Sequence, residues 1–302
     1  MLMLMRYLIF PGQGSQKPGF LSNWIANKKF KAIIEQHSEI TGLDLFHLGT
    51  EATAEEIAQT VVTQPLIVSA SIASVRTVFE DSQLAKFDGI AGHSVGEFAA
   101  AAIAGVITDR EALKLVSLRA KAMQEAAAKT ETGMAAAIGA DMTQLEQKLG
   151  ELVIANYNGA NQYVVAGLRA DLQLLLDNPP AGFRVIPLSV SGAFHTTFME
   201  QAKESLKKDF EQVQAKDPKV RLLSNKDGQP VSSGAEFLES LLTQVSSPVR
   251  WDKCMQTING SSMVVEAAPS GVLSNLLKKT IENADIYSLK SPDDSIDLGT
   301  ND

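Results

Sequence analysis

Ser94 lies between two glycines at a point where a short apolar segment gives way to an alanine-rich one. The stretch Gly92-His93-Ser94-Val95-Gly96 has Gly-x-Ser-x-Gly spacing, and the following "FAAAAIAG" (98–105) predicts a helix that can lie close to a sheet. Small residues beside a serine permit the sharp strand-to-helix turn that exposes a nucleophilic hydroxyl. The amides and dipole of the helix N-terminus would lie beside any oxyanion formed there. The spacing therefore favours a nucleophilic serine.

A simpler role for this serine fits the same residues. Ser94-Val95-Gly96-Glu97 has the spacing of a capping box, in which serine and glutamate satisfy free amides at the start of a helix. One turn could serve as both cap and nucleophile. The sequence leaves both interpretations open at this point.

A nucleophilic serine needs a general base, and the chain has four histidines. His37, in a polar helical stretch, is expected to be solvated, and His47 is expected to be packed or on the surface near a turn. His93 adjoins the serine at a tight turn, where neighbours point apart, so it is expected to shape the pocket floor. His195, in "VSGAFHTTF", ends a predicted strand and is the base by elimination. Sequence order does not choose a third member from the carboxylates that follow: Asp209, Asp217, Asp227 and Asp252.

Arg119 is a charged residue on the apolar side of a predicted helix, 109–127. At ~100° per residue it shares that side with five apolar residues: Ala112, Leu115, Val116, Ala120 and Met123. A guanidinium facing a core is costly unless it is paired, so a structural salt bridge or a side chain reaching out to solvent are the ordinary explanations. Its fork of donors also fits a ligand carboxylate bidentately, which would demand an acyl group with a free carboxylate.

The glycine turn "PGQGSQKPG" (11–19) does not have the spacing of a phosphate-binding loop. Counting from Gly12, Gly-x-Gly-x-x-Gly requires glycine at position 17, which holds Lys17, and Gly-Lys-Ser/Thr is absent. Nucleotide binding is therefore disfavoured. Such a turn can still aim an amide at a reacting carbonyl, and the N–H groups of Gln13 and Val95 are the candidates for an oxyanion hole.

Predicted strands and helices alternate over residues 7–130, which is typical of a parallel sheet wrapped by helices. From residue 133 onward the predicted order becomes β-α-β-β-α-β, that of a ferredoxin-like unit. The fold class is therefore α/β. We expect a discontinuous core, 1–130 and 194–302, with a ferredoxin-like insertion over 131–193, and a ligand cleft between the two.

The composition limits the class of protein, its partners and its compartment. The 302 residues are 45% hydrophobic and 21% charged, as in a soluble globular protein, and a net charge of −8 disfavours nucleic acid and anionic membranes as general partners. The one cysteine, Cys254, cannot form an internal disulfide and suits a reducing cytoplasm. The apolar start, 1–10, is too short to span a bilayer and lacks signal-peptide features, and the acidic end, 291–302, is expected to fray.

Five sequence blocks occur in an order that resembles one enzyme family. The blocks are "FPGQGSQ" (10–16), "TQP" (63–65), "GHSVGE" (92–97), "RAKAMQ" (119–124) and "GAFH" (192–195). Together they are similar to malonyl-CoA:acyl carrier protein transacylases and to the acyltransferase domains of polyketide synthases. The resemblance runs from about residue 7 to about residue 277 and implies a hydrolase-like α/β core with a ferredoxin-like insertion.

The resemblance also implies roles for individual residues. Ser94 would take the malonyl group, with His195 as base and then acid, and Arg119 would hold the malonyl carboxylate. The backbone amides of Gln13 and Val95 would form the oxyanion hole.

Further roles concern the histidine and the acyl pocket. In this family a main-chain or amide oxygen orients the histidine, which matches Gln244 and Asn158. Phe194 would crowd a branching methyl group, so malonyl is preferred to methylmalonyl, and Met123 would also contact substrate.

The implied reaction is a two-step, ping-pong transfer from malonyl-CoA to the phosphopantetheine thiol of an acyl carrier protein, without metal or redox cofactor. We expect a cytoplasmic monomer that supplies fatty-acid synthesis. A basic patch for the carrier protein could include Lys207–Lys208 or Lys278–Lys279. The alternatives are a polyketide acyltransferase, a serine esterase or thioesterase, and a non-catalytic carrier-binding module.

Overall fold

The computed structural model describes residues 5–299, and expectations for residues 1–4 and 300–302 lie outside this range. Its strands, in chain order, are β1 (Arg6–Phe10), β2 (Gly89–Gly92), β3 (Thr132–Ile138), β4 (Val153–Gly159), β5 (Gln162–Leu168), β6 (Arg184–Pro187), β7 (Arg221–Leu223), β8 (Met263–Glu266) and β9 (Asp285–Ser288). Its α-helices are α1 (Lys28–Thr41), α2 (Leu45–Thr50), α3 (Thr60–Val78), α4 (Asp81–Leu84), α5 (Gly96–Ile103), α6 (Asp109–Ala127), α7 (Met142–Glu146), α8 (Arg169–Asp177), α9 (Glu200–Glu211), α10 (Gly234–Gln244), α11 (Trp251–Ile258) and α12 (Val272–Leu277).

The first sheet has the strand order β7-β2-β1-β8-β9, and its neighbouring strands all pair in parallel. The central strand β1, "RYLIF", is buried along its whole length, as expected for a parallel strand covered on both faces. Because the strands are parallel, their carboxyl ends meet at one edge. That edge carries the turn after β1, Ser94 after β2, and Asn225 after β7.

The second sheet is antiparallel and has the order β4-β5-β3-β6. The helices α7 and α8 lie between its strands in the chain, and α8 contacts β3, β5 and β6. Its own small core includes Leu145, Leu172 and Leu175. Its other face contributes Met134 and Val164 to the main core, so the two sheets share one apolar interior.

The helix α3 lies deep in that interior. It is the single helix in residues 5–299 long and apolar enough to cross a bilayer by length and composition, but 72% of its apolar window is buried inside the protein. It packs against α1, α5 and α6. Burial by these neighbours accounts for its all-round apolar surface.

The mixed α/β class with a parallel sheet is confirmed. The expectation of a frayed C-terminus is wrong for residues 291–299: Leu298 is buried in the main core, and Lys86 Nζ donates a 2.8 Å hydrogen bond to the carbonyl oxygen of Gly299. A single leucine in an acidic tail is enough to dock it when a matching apolar site is present.

Candidate active site

The turn that carries Ser94 fits only glycine at its two flanking positions. A Cβ on Gly92 would overlap the backbone of Gly96, and a Cβ on Gly96 would overlap the carbonyl oxygens of Phe10 and Pro11. Ser94 itself has φ of 51°, in the left-handed region that non-glycine residues rarely adopt. The glycines thus let β2 and α5 meet closely enough to raise Ser94 on a strained turn.

The Ser94 hydroxyl is directed at a histidine and not at the helix. Its Oγ lies 2.7 Å from His195 Nε2 and 3.5 Å from Arg119 Nη2. The N-cap of α5 is Val95, with no side-chain cap, and the Glu97 carboxylate bonds elsewhere. The capping-box interpretation is therefore wrong, because packing against His195 outcompetes the local hydrogen bond.

His195 is held as a neutral base. Its Nδ1 lies 2.8 Å from the main-chain carbonyl oxygen of Gln244, which can only accept, so Nδ1 carries the proton and Nε2 presents its lone pair to Ser94. Burial, followed by the nearby Arg119 charge, lowers the pKa of His195 to about 3. In the described chain no carboxylate bonds to this ring, so none of the four candidate aspartates completes a triad.

Asn158 does not orient His195, and that prediction is wrong. Its Oδ1 lies 2.9 Å from Nε2 of His93, the histidine that follows β2. The His93 ring also packs edge-on against Trp251, with centroids 5.6 Å apart. His93 and Asn158 both line the floor of the cavity, where Asn158, on β4, joins the second sheet to the serine turn.

Arg119 is buried without an anionic partner. Its side chain is 1% exposed, Nη1 donates to Gln64 Oε1 at 2.7 Å, and Nη2 donates to Gln244 Oε1 at 3.1 Å. Its Nε has no hydrogen-bond partner within residues 5–299. Burial lowers its pKa to about 10, while the charge of Glu97 acts in the opposite direction, so the guanidinium stays charged at neutral pH. A salt bridge and a solvent-exposed head are both excluded for this arginine.

Two backbone amides beside Ser94 are free to bind an oxyanion. Among residues 5–299, the N–H groups of Gln13 and Val95 donate to no protein atom, and both residues line the cavity. The N–H of Ser94 is already used, since it donates to Asn225 Oδ1 at 2.7 Å. The geometry thus leaves the two amides of a nucleophile elbow, one after the serine and one from a separate loop.

These groups converge on a cavity of about 190 Å³ between the two sheets. It is lined by eight of the nine predicted site residues: Gln13, Ser94, Val95, Arg119, Met123, Asn158, Phe194 and His195. The ninth, Gln244, lies behind it. Phe194 is 4% exposed, and the Met123 sulfur accepts from Gln64 Nε2 at 3.7 Å, which fixes the wall next to Arg119.

Comparison with known proteins places these features in a family. The acyl transferase domain family matches residues 7–291. The chain belongs to that family. Curated relatives are the malonyl CoA-acyl carrier protein transacylases of Mycobacterium tuberculosis, 42% identical over 96% of this chain and 98% of the relative, and of Haemophilus influenzae, 34% identical over 93% and 94%.

Solved structures of acyl transferases superpose closely on this one. The crystal structure of MCAT from Mycobacterium tuberculosis has a TM-score of 0.93 at 41% identity, covering 97% of this chain and 99% of that one. A malonyl-transacylase in complex with its type II PKS acyl-carrier protein has a TM-score of 0.86 at 28% identity, covering 95% and 96%.

Three residues of this acyl transferase site were missed by the sequence analysis. Gln64 holds Arg119, Asn225 holds the Ser94 amide, and Glu97 lies beneath both Gln244 and Asn225. Gln64 lies inside the block "TQP" and Glu97 inside "GHSVGE", so a resemblance block marked each of them without a role. Nothing local in "LLSNKDG" distinguishes Asn225 from an ordinary turn residue.

His37 lies outside the site, and the expectation that it is solvated is wrong. The side chain is 1% exposed and Nδ1 lies 2.9 Å from Ser69 Oγ, because α1 turns this position toward α3. His47 is half-buried, 3.4 Å from Glu51. Within residues 5–299, no cluster of three or more His, Cys, Asp or Glu side chains could hold a metal ion.

Proposed function

We propose that this chain transfers a malonyl group from malonyl-CoA to the phosphopantetheine thiol of an acyl carrier protein. The observation that carries the proposal is one buried hydroxyl, on Ser94, between a neutral histidine at 2.7 Å and an unpaired guanidinium at 3.5 Å. The hydroxyl and the histidine can together take up an acyl group, and the guanidinium can bind the carboxylate of that acyl group. The names of the relatives and of the structural neighbours support the same reaction.

In the first half-reaction His195 Nε2 accepts the Ser94 proton while Oγ attacks the thioester carbonyl carbon. The amides of Gln13 and Val95 stabilise the oxyanion of the tetrahedral intermediate. The carbon–sulfur bond then breaks, the carbonyl re-forms, and the CoA sulfur takes the proton from His195. Because the imidazole pKa lies well below neutrality, the base is in its accepting form when substrate arrives.

In the second half-reaction the carrier thiol takes the place of CoA. His195 accepts its proton, the sulfur attacks the malonyl-serine ester, and the same amides hold the oxyanion. The ester bond breaks and Ser94 Oγ recovers the proton from His195. Throughout, Arg119 binds the malonyl carboxylate, whose charge matches the uncompensated guanidinium. The kinetics are ping-pong.

The cavity wall limits the acyl group. Phe194 and Met123 line, together with Arg119, a cavity of about 190 Å³. One added methyl changes binding by roughly 1–3 kcal/mol, so malonyl is preferred to methylmalonyl without exclusion of the latter.

The carrier protein would approach the open side of the cavity. Val272 on α12 is 43% exposed at this opening, and Lys278–Lys279 follow the same helix on the surface. Lys207 is a weaker candidate, since it pairs with Glu204 at 2.7 Å. We further propose that the protein is a cytoplasmic monomer that serves fatty-acid synthesis and needs no metal or redox cofactor. A carrier protein of polyketide synthesis is the alternative acceptor.

We also propose the finer domain assignment: a hydrolase-like core, 1–130 and 194–302, with a ferredoxin-like insertion over 131–193. The order β4-β5-β3-β6, with α7 and α8 in the intervening connections, supports the insertion. The parallel order β7-β2-β1-β8-β9, with Ser94 after β2, supports the core. The cleft between the two then holds the acyl group.

A serine esterase would use the same hydroxyl and imidazole with water as acceptor. It would have no use for a buried cation beside the nucleophile, and burial of an unpaired charge is expensive. A non-catalytic carrier-binding module would use Ser94 as a helix cap, and Ser94 makes no such contact.

Intact-mass spectrometry tests the proposal. After mixing with malonyl-CoA, the protein is expected to gain one malonyl group, which a carrier thiol then removes, and Ser94→Ala is expected to gain none. Absence of the adduct in the unaltered protein, or its equal formation in Ser94→Ala, would contradict it. Faster loading of acetyl than of malonyl would favour an esterase.

A further inference from the structure

Glu97 is a buried carboxylate that the reaction above does not use. It lies in the first turn of α5, three residues after Ser94, and is fully buried. Its Oε1 accepts from the N–H of Asn225 at 2.6 Å, and its Oε2 accepts from Nε2 of Gln244. Within residues 5–299 it makes no ion pair with Lys, Arg or His. A buried carboxyl group in this position needs an explanation, because its hydrogen bonds come only from neutral donors.

Gln244 connects Glu97 to two groups of the site. Its main-chain oxygen accepts from His195, and its side-chain Oε1 accepts from Arg119 Nη2 at 3.1 Å. Its Nε2 donates to Glu97, with the carbonyl oxygen of Ser94 at 3.4 Å also in reach. An amide can turn over and exchange its donor and acceptor ends, but here both oxygens of Glu97 accept, one from Asn225 N–H and the other from Gln244 Nε2. Glu97 therefore decides that the oxygen of Gln244 faces the guanidinium.

Asn225 connects the other oxygen of Glu97 to the strained turn. Its Oδ1 accepts from Ser94 N–H at 2.7 Å, and its Nδ2 donates to the Gly92 carbonyl oxygen at 2.7 Å. The two amide ends thus join both sides of the left-handed Ser94. Glu97 fixes the backbone of Asn225 from below.

Burial and the neighbouring groups act on the Glu97 carboxyl group in opposite directions. Burial raises the pKa of Glu97 to about 8, while the Asn225 N–H and the Arg119 charge act to lower it. The neutral amide of Gln244 separates the carboxylate from the guanidinium. Arg119 thus spends none of its donors on this carboxyl group, which leaves them for a ligand.

We propose that Glu97 is a positioning residue: it orients the Gln244 amide and so presents Arg119 to the carboxylate of the acyl group. This inference rests on the proposed malonyl transfer. It predicts that changes at Glu97 alter the preference between charged and neutral acyl groups, and not only the stability of the protein.

The test compares rates of Ser94 loading from malonyl-CoA and acetyl-CoA, by intact mass after rapid quenching. In Glu97→Gln a donor faces Gln244, whose amide must turn and point its own NH₂ at Arg119. Loss of a hydrogen bond to a charged group is worth roughly 1.5–3 kcal/mol, so malonyl loading should fall about 10- to 100-fold, and acetyl loading much less.

The double variant Glu97→Gln with Gln244→Glu separates positioning from folding. In this double variant the new amide at the position of Glu97 donates to the new carboxylate at the position of Gln244, so a donor again faces an acceptor. The new carboxylate, however, lies directly against Arg119. Acetyl loading is expected to remain at or above the wild-type rate, while malonyl loading stays low. Recovery of malonyl loading in this double variant would overturn the proposal.

Glu266→Gln is the matched control. Glu266 is also fully buried and accepts from the N–H groups of Gly271, Leu273 and Ser274. This variant is expected to lower thermal stability without changing the malonyl-to-acetyl ratio. An unchanged ratio in Glu97→Gln, as in this control, would reduce Glu97 to a structural residue while leaving malonyl transfer intact.

NMR of the unaltered protein covers the case in which the variants do not fold. The side-chain NH₂ of Gln244, assigned with labelled glutamine, is expected to exchange its hydrogens with solvent slowly. Fast hydrogen exchange would mean that the amide is not locked, and would overturn the proposal. Failure of malonyl transfer itself would instead appear as a missing adduct in the wild type.

Discussion

His195 and His37 are two buried histidines with the same local chemistry and different surroundings. Both are almost fully buried, and each Nδ1 has one oxygen partner, at 2.8 Å for His195 and 2.9 Å for His37. Burial lowers the pKa of His195 to about 3 and that of His37 to about 4. Burial and pKa alone therefore do not distinguish the histidine of the site from the one outside it.

The surroundings separate them. His195 has φ of 61°, faces a serine that is also in the left-handed region, and opens onto a cavity with two unused amides. His37 lies within a regular helix and packs between α1 and α3. A perturbed pKa marks a functional site only when strained backbone, open space and unspent donors occur with it.

The largest expected effect tests this contrast directly. Replacing His195 with Ala removes the base, and malonyl loading of Ser94 should fall by more than about 10³-fold. His37→Asn keeps an amide near the position of Nδ1 and should load at the wild-type rate. Quenched-flow mass spectrometry measures both. A similar loss in both variants would show that burial, and not position, decides function.

The buried cation gives the next effect. Arg119→Ala should reduce malonyl loading roughly 100-fold and let acetyl load faster, since a charge-assisted contact is lost and a buried charge removed. Arg76→Ala is the matched control, because its guanidinium is paired bidentately with Asp109 at 2.6 Å. It should lower the melting temperature and leave the malonyl-to-acetyl ratio unchanged. Parallel losses for both acyl groups in Arg119→Ala would refute carboxylate recognition.

Backbone strain gives a smaller effect. A Cβ at Gly96 meets the backbone after β1, so Gly96→Ala should cost about 1–3 kcal/mol of unfolding free energy and also slow loading. Gly42 ends α1 at φ of 71° and has open space around it. Gly42→Ala should therefore cost about 1 kcal/mol and leave loading unchanged. Urea titration and loading rates together distinguish the two, and slowed loading in Gly42→Ala would contradict this assignment.

Local sequence patterns predict the local features of this molecule better than they predict contacts between residues far apart in the chain. The helical spacing of 109–127 placed Arg119 on a buried face, and glycine spacing placed Ser94 on the turn. The Asn225–Ser94 bond joins residues 131 positions apart, and nothing local indicates it. The capping box failed for the same reason, since a histidine 101 positions away takes the hydroxyl.

The prediction for His37 is wrong because the contact that buries this residue is also distant in the sequence. Its segment "AIIEQHSEI" is polar enough to predict a solvated face, and only the packing of α1 on α3 brings Ser69 to it. Asn158 was assigned to the wrong histidine because both histidines flank one cavity. The sequence analysis predicts that Asn158 bonds to a histidine, but which histidine it contacts depends on how the second sheet packs on the first.

The last effect, which leaves acyl loading unchanged, concerns stability in acid. A histidine with a folded-state pKa of about 4 and an unfolded value near 6.5 binds more protons when unfolded, so its contribution to stability is lost as the pH falls through this window. For His37 this amounts to about 2 kcal/mol between pH 7 and pH 5. His37→Asn cannot titrate, so its urea midpoint should fall less over that range than the wild type's. Since His195 titrates lower still, the loading rate of folded protein should not follow this loss. A variant as acid-sensitive as the wild type would mean that His37 is already protonated in the fold, and the likeness between the two histidines would end there.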